Sequence, residues 1–377
     1  MSKKRASNQL EQLRSEIDKT DSELVRILAR RLQLTQEVGR YKYENRQPLY
    51  VPEREAQLLA ARREEAREHG IDGALIEDVL RRVMRESYQS QKQQGFNRTG
   101  PDDRPVIIVG GKGKLGGLFA HWFEISGYSV VLIDKDNQHE LIEHTDNASL
   151  VLISVPIDAT EAVIESLPEL PSDCILADLT SVKSKPLNAM LRVHSGPVIG
   201  LHPMFGPSVP TLAKQTVLIT PGRDAQACQW LSDQLGVWGV RLHELTASEH
   251  DHGMSLIQVM RHLSTFVYGY HLAHEDTDIE QLVNLSSPIY RLELMMVGRL
   301  FAQSPELYAD IILSDQDQHR MIHRYLNRFS DVLELLETEG REGFVREFNK
   351  VAQWFGPYAS QFMRESVGLL RHTDDSR

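Results

Sequence analysis

Only two cysteines occur in the 377 residues, Cys174 and Cys228, and their spacing suits neither a metal site nor a redox pair. A disulfide framework is thereby excluded, no metal is expected, and a reducing, cytoplasmic setting is anticipated. No apolar run approaches the ~20 residues of a membrane span, so no membrane partner is expected. The start, Met1-Ser2-Lys3-Lys4-Arg5, is basic, but polar residues follow where a secretion signal needs an apolar core. Positive charge is in short supply: 42 Lys and Arg against 53 Asp and Glu leave a net charge of −11, which argues against nucleic acid. Any anionic substrate must therefore meet arginines placed locally against the global field. Internal repeats are absent too.

What is present is an ordinary globular composition, 41% hydrophobic and 25% charged, long enough for two or three domains. From Leu10 to Lys42, apolar residues recur at helical spacing (Leu10, Leu13, Ile17, Leu24, Leu28, Leu34, Val38), which predicts one long helix that pairs with others. Gln47-Pro48 breaks it, and Pro52 opens a second helix, where a missing N–H costs nothing. Gly70 and Gly73 close that helix, and Leu75, Ile76, Val79, Leu80 and Val83 stripe a third. Residues 93–105 read as a linker rich in Gln, Gly, Asn and Asp. Short apolar strands at 106–109, 129–133, 150–154, 174–179, 197–201 and 216–220 then alternate with helices, which implies a mostly parallel sheet. Beyond about Thr246 only helical periodicity continues. The expected layout is a helical domain over 1–92, a linker, an α/β domain over 106–244, and a helical domain over 245–377.

The first strand runs straight into Gly110-Gly111-Lys112-Gly113-Lys114-Leu115-Gly116. A strand leading to Gly-x-Gly-x-x-Gly and a helix is the cradle of a dinucleotide pyrophosphate in a Rossmann-type domain. One glycine makes the tight turn, one lets the backbone approach phosphate, and one packs helix on strand. The second strand ends in Asp134, 18 residues past Gly116, where an acid accepts ribose hydroxyls and repels a 2′-phosphate. NAD is thus favoured over NADP, with Lys135 as the residue that keeps NADP open. Ser154-Val155-Pro156, Asp178-Leu179-Thr180-Ser181-Val182-Lys183 and Gly200-Leu201-His202-Pro203 fall at successive strand ends, where the ligand crevice of an open α/β sheet lies. His202 there is either a functional imidazole or a loop histidine fixed by its neighbours. Arg299 shares a helical face with Leu292, Met295 and Met296, and is either an anion ligand or a partner of Glu293.

In the first helix Arg31 lies on the heptad line of Leu10, Ile17, Leu24 and Val38, where a cation is costly unless an anion meets it; the alternative is a side chain snorkelling to water. Arg14 and Lys42 share a neighbouring line but are roughly 42 Å apart at 1.5 Å per residue, so one copy cannot bring both to one small ligand. Two antiparallel copies with a two-fold near residue 28 would pair Arg14 of one with Lys42 of the other. Arg54-Glu55 in the second helix, and Ser87 and Gln91 at i and i+4 in the third, add polar groups to the same bundle.

The ordered set Leu13-Arg14-x-x-Ile17-Asp18, Arg31, Glu37-Val38-Gly39-x-x-Lys42, Pro52-Glu53-Arg54-Glu55 and Glu86-Ser87-x-x-x-Gln91 resembles the all-helical chorismate mutases. The resemblance implies a dimer that rearranges chorismate to prephenate. Arg31 and a partner copy's Arg14 would clamp the carboxylates, with Ser87 assisting. Lys42 and Gln91 would face the ether oxygen, Glu55 would take the ring hydroxyl, and Arg54 would orient. Val51 departs from the pattern, because many members carry aspartate there. Gly200-Leu201-His202-Pro203-Met204-Phe205-Gly206-Pro207, with Asp178-Leu179-x-Ser181-Val182-Lys183, Glu249-His250-Asp251, Arg261-His262 and Ser286-Ser287-Pro288-Ile289-Tyr290-Arg291-Leu292, is similar to prephenate dehydrogenases. There His202 would accept the hydroxyl proton with Ser181 beside it. Arg299 would hold the ring carboxylate, and Lys183, Arg291, His250 and His262 would line the cleft. Together the two sets resemble the bifunctional chorismate mutase/prephenate dehydrogenases of tyrosine synthesis, and imply feedback inhibition by tyrosine. The rival expectations are a prephenate or arogenate dehydrogenase whose N-terminal helices only dimerise, and a non-catalytic NAD-sensing protein.

Overall fold

A computed structural model of the chain describes residues 2–45, 47–91, 95–101, 103–313 and 316–374. Its residues divide into two compact units, one formed by 1–155 with 159–247, the other by 156–158 with 248–377. Among the described residues no helix is long and apolar enough to cross a membrane.

The first unit opens with α1 (Ser2–Glu44), α2 (Pro52–Glu68) and α3 (Gly73–Gln91). The expected Pro52 start of α2 holds, but Gly73 begins α3 rather than ending α2; the turn falls on Gly70, at φ +72°. Leu10, Leu13, Ile17 and Leu24 on α1 are 49–59% exposed, so one copy of the chain leaves that stripe uncovered.

Seven strands follow: β1 (Val106–Val109), β2 (Val130–Ile133), β3 (Leu150–Ile153), β4 (Ile175–Asp178), β5 (Val198–Pro203), β6 (Thr216–Arg223) and β7 (Arg241–Glu244). They form one sheet in the order β2-β1-β3-β4-β5-β6-β7. β1 to β5 are parallel, β6 runs antiparallel to β5, and β7 parallel to β6. The helices between the strands are α4 (Lys114–Ile125), α5 (Leu141–Thr145), α6 (Ile157–Glu165), α7 (Ser184–Val193) and α8 (Gln229–Val237). Strand β1 is buried along its whole length because both sheet faces are covered. Val106 and Ile108 enter the core with Phe119, Trp122 and Trp238, while Ile107 and Val109 enter the core with Ile164 and Met190. β7 lies outside the predicted strands because Arg-Leu-His-Glu is exposed throughout and carries no apolar run.

The segment expected as a linker is docked where it is described. Phe96 stacks on Trp122 at 5.0 Å. Gln234, wholly buried, accepts from Thr99 N at 3.0 Å and from the Tyr128 hydroxyl at 2.8 Å. The helices ahead of it and the sheet after it therefore make one unit.

The second unit is helical: α9 (Ala247–Met254) continues through a π-helical turn (Ser255–Met260) into α10 (Arg261–His274). Then come α11 (Ile279–Leu285), α12 (Pro288–Phe301), α13 (Pro305–Leu313), α14 (Gln316–Thr338), α15 (Gly340–Phe355) and α16 (Pro357–Asp374). Ser287 caps α12 by accepting from Tyr290 N, ahead of a proline that needs no donor.

Candidate functional site

The glycine loop has the shape its sequence predicts, displaced by one residue. The left-handed turn falls on Gly110, at φ +85°, where a Cβ would collide with the Ser154 carbonyl. At Gly116 a Cβ would strike the Gly110 carbonyl, so this glycine packs helix on loop. A Cβ on Gly113 would meet only the Gly110 carbonyl, at 3.0 Å, which leaves its open side for a ligand's backbone approach. Gly113 also opens α4 without any side-chain cap, so the first helical amides, from Lys114, Leu115 and Gly116, are presented as a cluster of donors. Asp134 braces this loop by accepting Lys112 N at 2.7 Å, and Asp136 binds Lys112 Nζ at 2.5 Å. Two carboxylates thus sit beside the loop where a 2′-phosphate would have to go. These residues fit a dinucleotide without that phosphate.

The other strand-end residues lie along the same sheet edge. Ser154 donates its amide to Val109 O at 2.7 Å, which ties the β3 end to the glycine loop. His202 is the penultimate residue of β5 and only 3% exposed. Three strand spacings, roughly 14 Å, separate β1 from β5, so loop and imidazole sit at opposite ends of one crevice. Ser181 is half-buried in the turn after β4.

Lys183 does not offer the cleft-facing cation the sequence suggested. Its side chain is wholly buried, with the ammonium on Asp178 Oδ2 and 3.2 Å from Thr180 Oγ1. A buried ammonium persists only with such a partner. Gly200, in register with Asp178, makes room for it, since a Cβ there would sit 2.9 Å from the lysine Cδ.

The helical unit carries the remaining candidates. The side chain of α12 that faces inward is not the Leu292–Met295–Met296–Arg299 stripe, because that helix buries Val297 and Leu300 instead. Arg299 is exposed and unpaired with Glu293, whereas Arg291 is half-buried at the rim of an apolar cavity of about 530 Å³. His250 is wholly buried with Nδ1 2.8 Å from Asp251 Oδ1. His262 rests edge-on against Tyr308 at 4.7 Å, with its own Nδ1 buried and without a hydrogen-bond partner among the described residues. Burial, then the charge of Arg261, pushes its imidazole down to about 4.

In the N-terminal bundle, α3 carries groups that meet both other helices. Arg31 Nη1 donates to Ser87 Oγ at 3.1 Å, across α1 and α3. Glu55, 7% exposed, accepts from the Tyr88 hydroxyl at 3.0 Å and from Lys214 Nζ at 2.6 Å, with Arg81 at 3.4 Å. Lys42 donates to Leu49 O at 2.8 Å. Burial lowers both Arg31 and Lys42 from their ordinary values. Arg14 and Arg54 are exposed, and Arg14 stands turns away along α1, as its spacing from Lys42 requires. The side chain of Gln91 lies outside the described residues. Val51 caps α2 with no side-chain acceptor, and Glu53 and Glu55 supply the negative charge of the first turn.

Residues 13–92 match the model of chorismate mutase type II, 126–243 that of the prephenate dehydrogenase nucleotide-binding domain, and 246–350 that of the prephenate dehydrogenase dimerization domain. The chain is 53% identical to the T-protein of Enterobacter agglomerans over 98% of its own length and 99% of the relative's. It is 47% identical to the T-protein of Haemophilus influenzae, covering 97% of each. The chain belongs to the T-protein family. It is an enzyme that joins a chorismate mutase to a prephenate dehydrogenase. In fold it is similar to a prephenate dehydrogenase from A. aeolicus solved with hydroxyphenyl propionate and NAD+ (TM-score 0.55, 18% identity, 67% of this chain and 97% of that one). A Synechocystis arogenate dehydrogenase is similarly related (TM-score 0.53, 18% identity, 68% and 99%).

Three residues that contact Glu55 carry no signal of that contact in the sequence. Tyr88 follows Ser87 on α3 and was legible only as an amphipathic position. Burial, then the charge of Glu55, raises its hydroxyl above the ordinary tyrosine value, so it stays a donor. Arg81 reads as a surface partner of Glu77, which it also is. Lys214 carries no local signal, being 159 positions from Glu55 in a loop of the sheet.

Proposed function

We propose that each half of the chain works through the residues just described, and that two copies are needed to complete the first half. The observation that carries the mutase reading is the Arg31–Ser87 contact together with a buried Glu55, on three short-linked helices that have no reason to keep those groups inward for packing alone. The rearrangement needs no covalent catalyst. It needs a dicarboxylate held in a chair and positive charge where the ether oxygen gains electron density. Arg31 and the second copy's Arg14 clamp the carboxylates, and Ser87 assists. Lys42 and Gln91 face the ether oxygen, Glu55 accepts the ring hydroxyl, and Arg54 orients. The uncovered stripe of α1 and the apolar cavity of the helical unit support the homodimer, as does the dimerization-domain match.

In the dehydrogenase half, Gly110, Gly111, Gly113, Lys114, Leu115 and Gly116 would hold the pyrophosphate of NAD. Asp134 takes the ribose hydroxyls, and Ser154, Val155 and Pro156 border the crevice. When bound, NAD supplies the hydride acceptor. His202 takes the proton of the ring hydroxyl as the carbonyl forms, Ser181 shares its hydrogen bonds, and CO2 leaves as the ring becomes aromatic. From the helical unit, Arg299 takes the ring carboxylate, with Arg291 and His250 as further substrate-binding candidates; within the sheet, Lys183 supports Asp178. Tyrosine inhibits by feedback, and His262 reports on the ligand through its unpartnered Nδ1. The compartment is cytoplasmic: both cysteines are free and buried, and burial lifts each thiol to about 12, so neither is poised to oxidise.

Supplying chorismate and NAD together tests the reading. The expected result is NADH, CO2 and 4-hydroxyphenylpyruvate in equal amounts. NADH from added prephenate but none from chorismate would reduce the N-terminal helices to a dimerisation module. Faster NADH formation from arogenate would reassign the side-chain preference.

A further inference from the structure

The polar face of the mutase bundle is fastened to the far edge of the dehydrogenase sheet. Leu49, 4% exposed, belongs to the same apolar core as Trp238, and its amide donates to Val237 O at 3.2 Å. Its carbonyl is the acceptor of Lys42. Arg241 Nη2 donates to the Tyr50 hydroxyl at 2.9 Å, and Gly239 brings its backbone against Tyr50 so closely that a Cβ would lie 3.1 Å from the tyrosine Cβ.

Lys214 completes this seam. It sits between β5 and β6 with φ +68°, a left-handed conformation that lysine rarely adopts and that must be held by its surroundings. The hold is its amide, which donates to Gly239 O at 2.8 Å. The side chain then enters the bundle. Its ammonium lies 5.3 Å from the ring centre of Tyr50, 5.5 Å from that of Tyr88, and 2.6 Å from Glu55 Oε1. Tyr88 holds the other carboxylate oxygen. Arg81 is a weaker partner at 3.4 Å, since its guanidinium is already spent on Glu77 at 2.6 and 2.9 Å.

We propose that Lys214, a residue of the dehydrogenase domain, is a positioning residue of the mutase reaction, fixing the Glu55 carboxylate so that its remaining lone pairs accept the ring hydroxyl of chorismate. The proposal rests on the role given above to Glu55. A carboxylate this buried needs an opposite charge at hydrogen-bond distance, and the bundle's own helices supply none as close. The dehydrogenase domain thus furnishes a part of the mutase site that the mutase sequence lacks.

The test uses the full-length chain, with chorismate consumption and oxidation of supplied prephenate measured separately. Lys214→Ala is expected to lower mutase kcat/KM about tenfold, as loss of one charge-assisted hydrogen bond would. Lys214→Arg should recover it to within about twofold, and prephenate oxidation should be unmoved in both. In a Glu55→Gln background, Lys214→Ala should add nothing further. A mutase unaffected by Lys214→Ala overturns the proposal, provided that Glu55→Gln is itself damaging. If Glu55→Gln is silent, the role of Glu55 fails first. Equal additive losses in the double variant would show that Lys214 acts independently of Glu55, and loss of both activities would make it a support of the fold; either result overturns the positioning role.

Discussion

The long first helix and the first strand of the sheet are both apolar by sequence, yet they end in opposite situations. Val106, Ile107 and Ile108 of β1 are 0% exposed, covered on both faces by helices of the same chain. Leu10, Leu13, Ile17 and Leu24 of α1 stay about half exposed, although full burial of such a side chain is worth roughly 1.5–3 kcal/mol. The dehydrogenase sheet is finished by one chain; the mutase bundle is not. The same contrast governs chemistry. The glycine loop, Asp134, Ser154 and His202 lie along one sheet edge of a single copy, whereas Arg14 stands far down α1 from Lys42 and could reach that residue only from a second copy.

The largest effects should come from breaking each half alone. His202→Asn keeps a polar side chain but removes the proton acceptor, and should lower the turnover of prephenate oxidation by about 10²–10⁴, with a smaller change in KM and an intact mutase. A change confined to apparent affinity would remove His202 from the acceptor role. Lys42→Ala should lower chorismate consumption by roughly 10²–10³, while oxidation of supplied prephenate continues. Simultaneous loss of both activities would mean that the two regions share a site.

The two-copy reading sharpens the comparison further. Arg14→Ala and Lys42→Ala chains should each be inactive as mutases. Mixed and reassociated, half of their dimers would carry one intact site of two, which restores about a quarter of the wild-type sites. No recovery, with dimer exchange shown by labelled chains, would place Arg14 outside its neighbour's site. A finer effect follows from burial. The depressed Lys42 ammonium must stay charged to face the ether oxygen, so mutase kcat/KM should fall on the alkaline side below the ordinary lysine range, and prephenate oxidation should not follow that limb.

How much of this was legible depended on whether a residue's partner lies nearby in sequence. Strands β1 to β6 are legible because each carries a continuous apolar run; β7, exposed and charged, has no such signature. The glycine pattern gave the shape of the loop between β1 and α4, and the backbone angle at Gly110 places the left-handed turn there. The position of His202 at a strand end was legible, because the run Val198–Pro203 reads as a strand. Spacing alone could not show that the Lys183 ammonium is buried; the Lys183–Asp178 ion pair, with both side chains 0% exposed, shows it. Arg299 shares its face with Met295 and Met296, and that face is exposed, because an apolar stripe open to solvent looks the same in sequence as one that is covered. Lys214 was invisible, because nothing in a loop of the sheet says that its side chain enters the bundle.

The smallest predicted effect concerns the helical unit and its His262. Burial holds this imidazole near 4 in the folded chain, against 6.5 for an ordinary histidine. Above 6.5 both folded and unfolded chains keep it neutral, and it costs the fold nothing. Between 6.5 and about 4 the unfolded chain binds a proton that the folded chain refuses, so stability falls as the pH drops through that window. Below about 4 the folded chain takes the proton as well, and this contribution flattens. Thermal melts of the full chain between pH 7 and 4 should therefore show a steeper acid-side loss of Tm than those of His262→Asn, which has no proton to refuse. Parallel slopes would mean that His262 is exposed to solvent protons in the folded state, and would also remove the buried, unpartnered Nδ1 as the group that reports on a bound ligand.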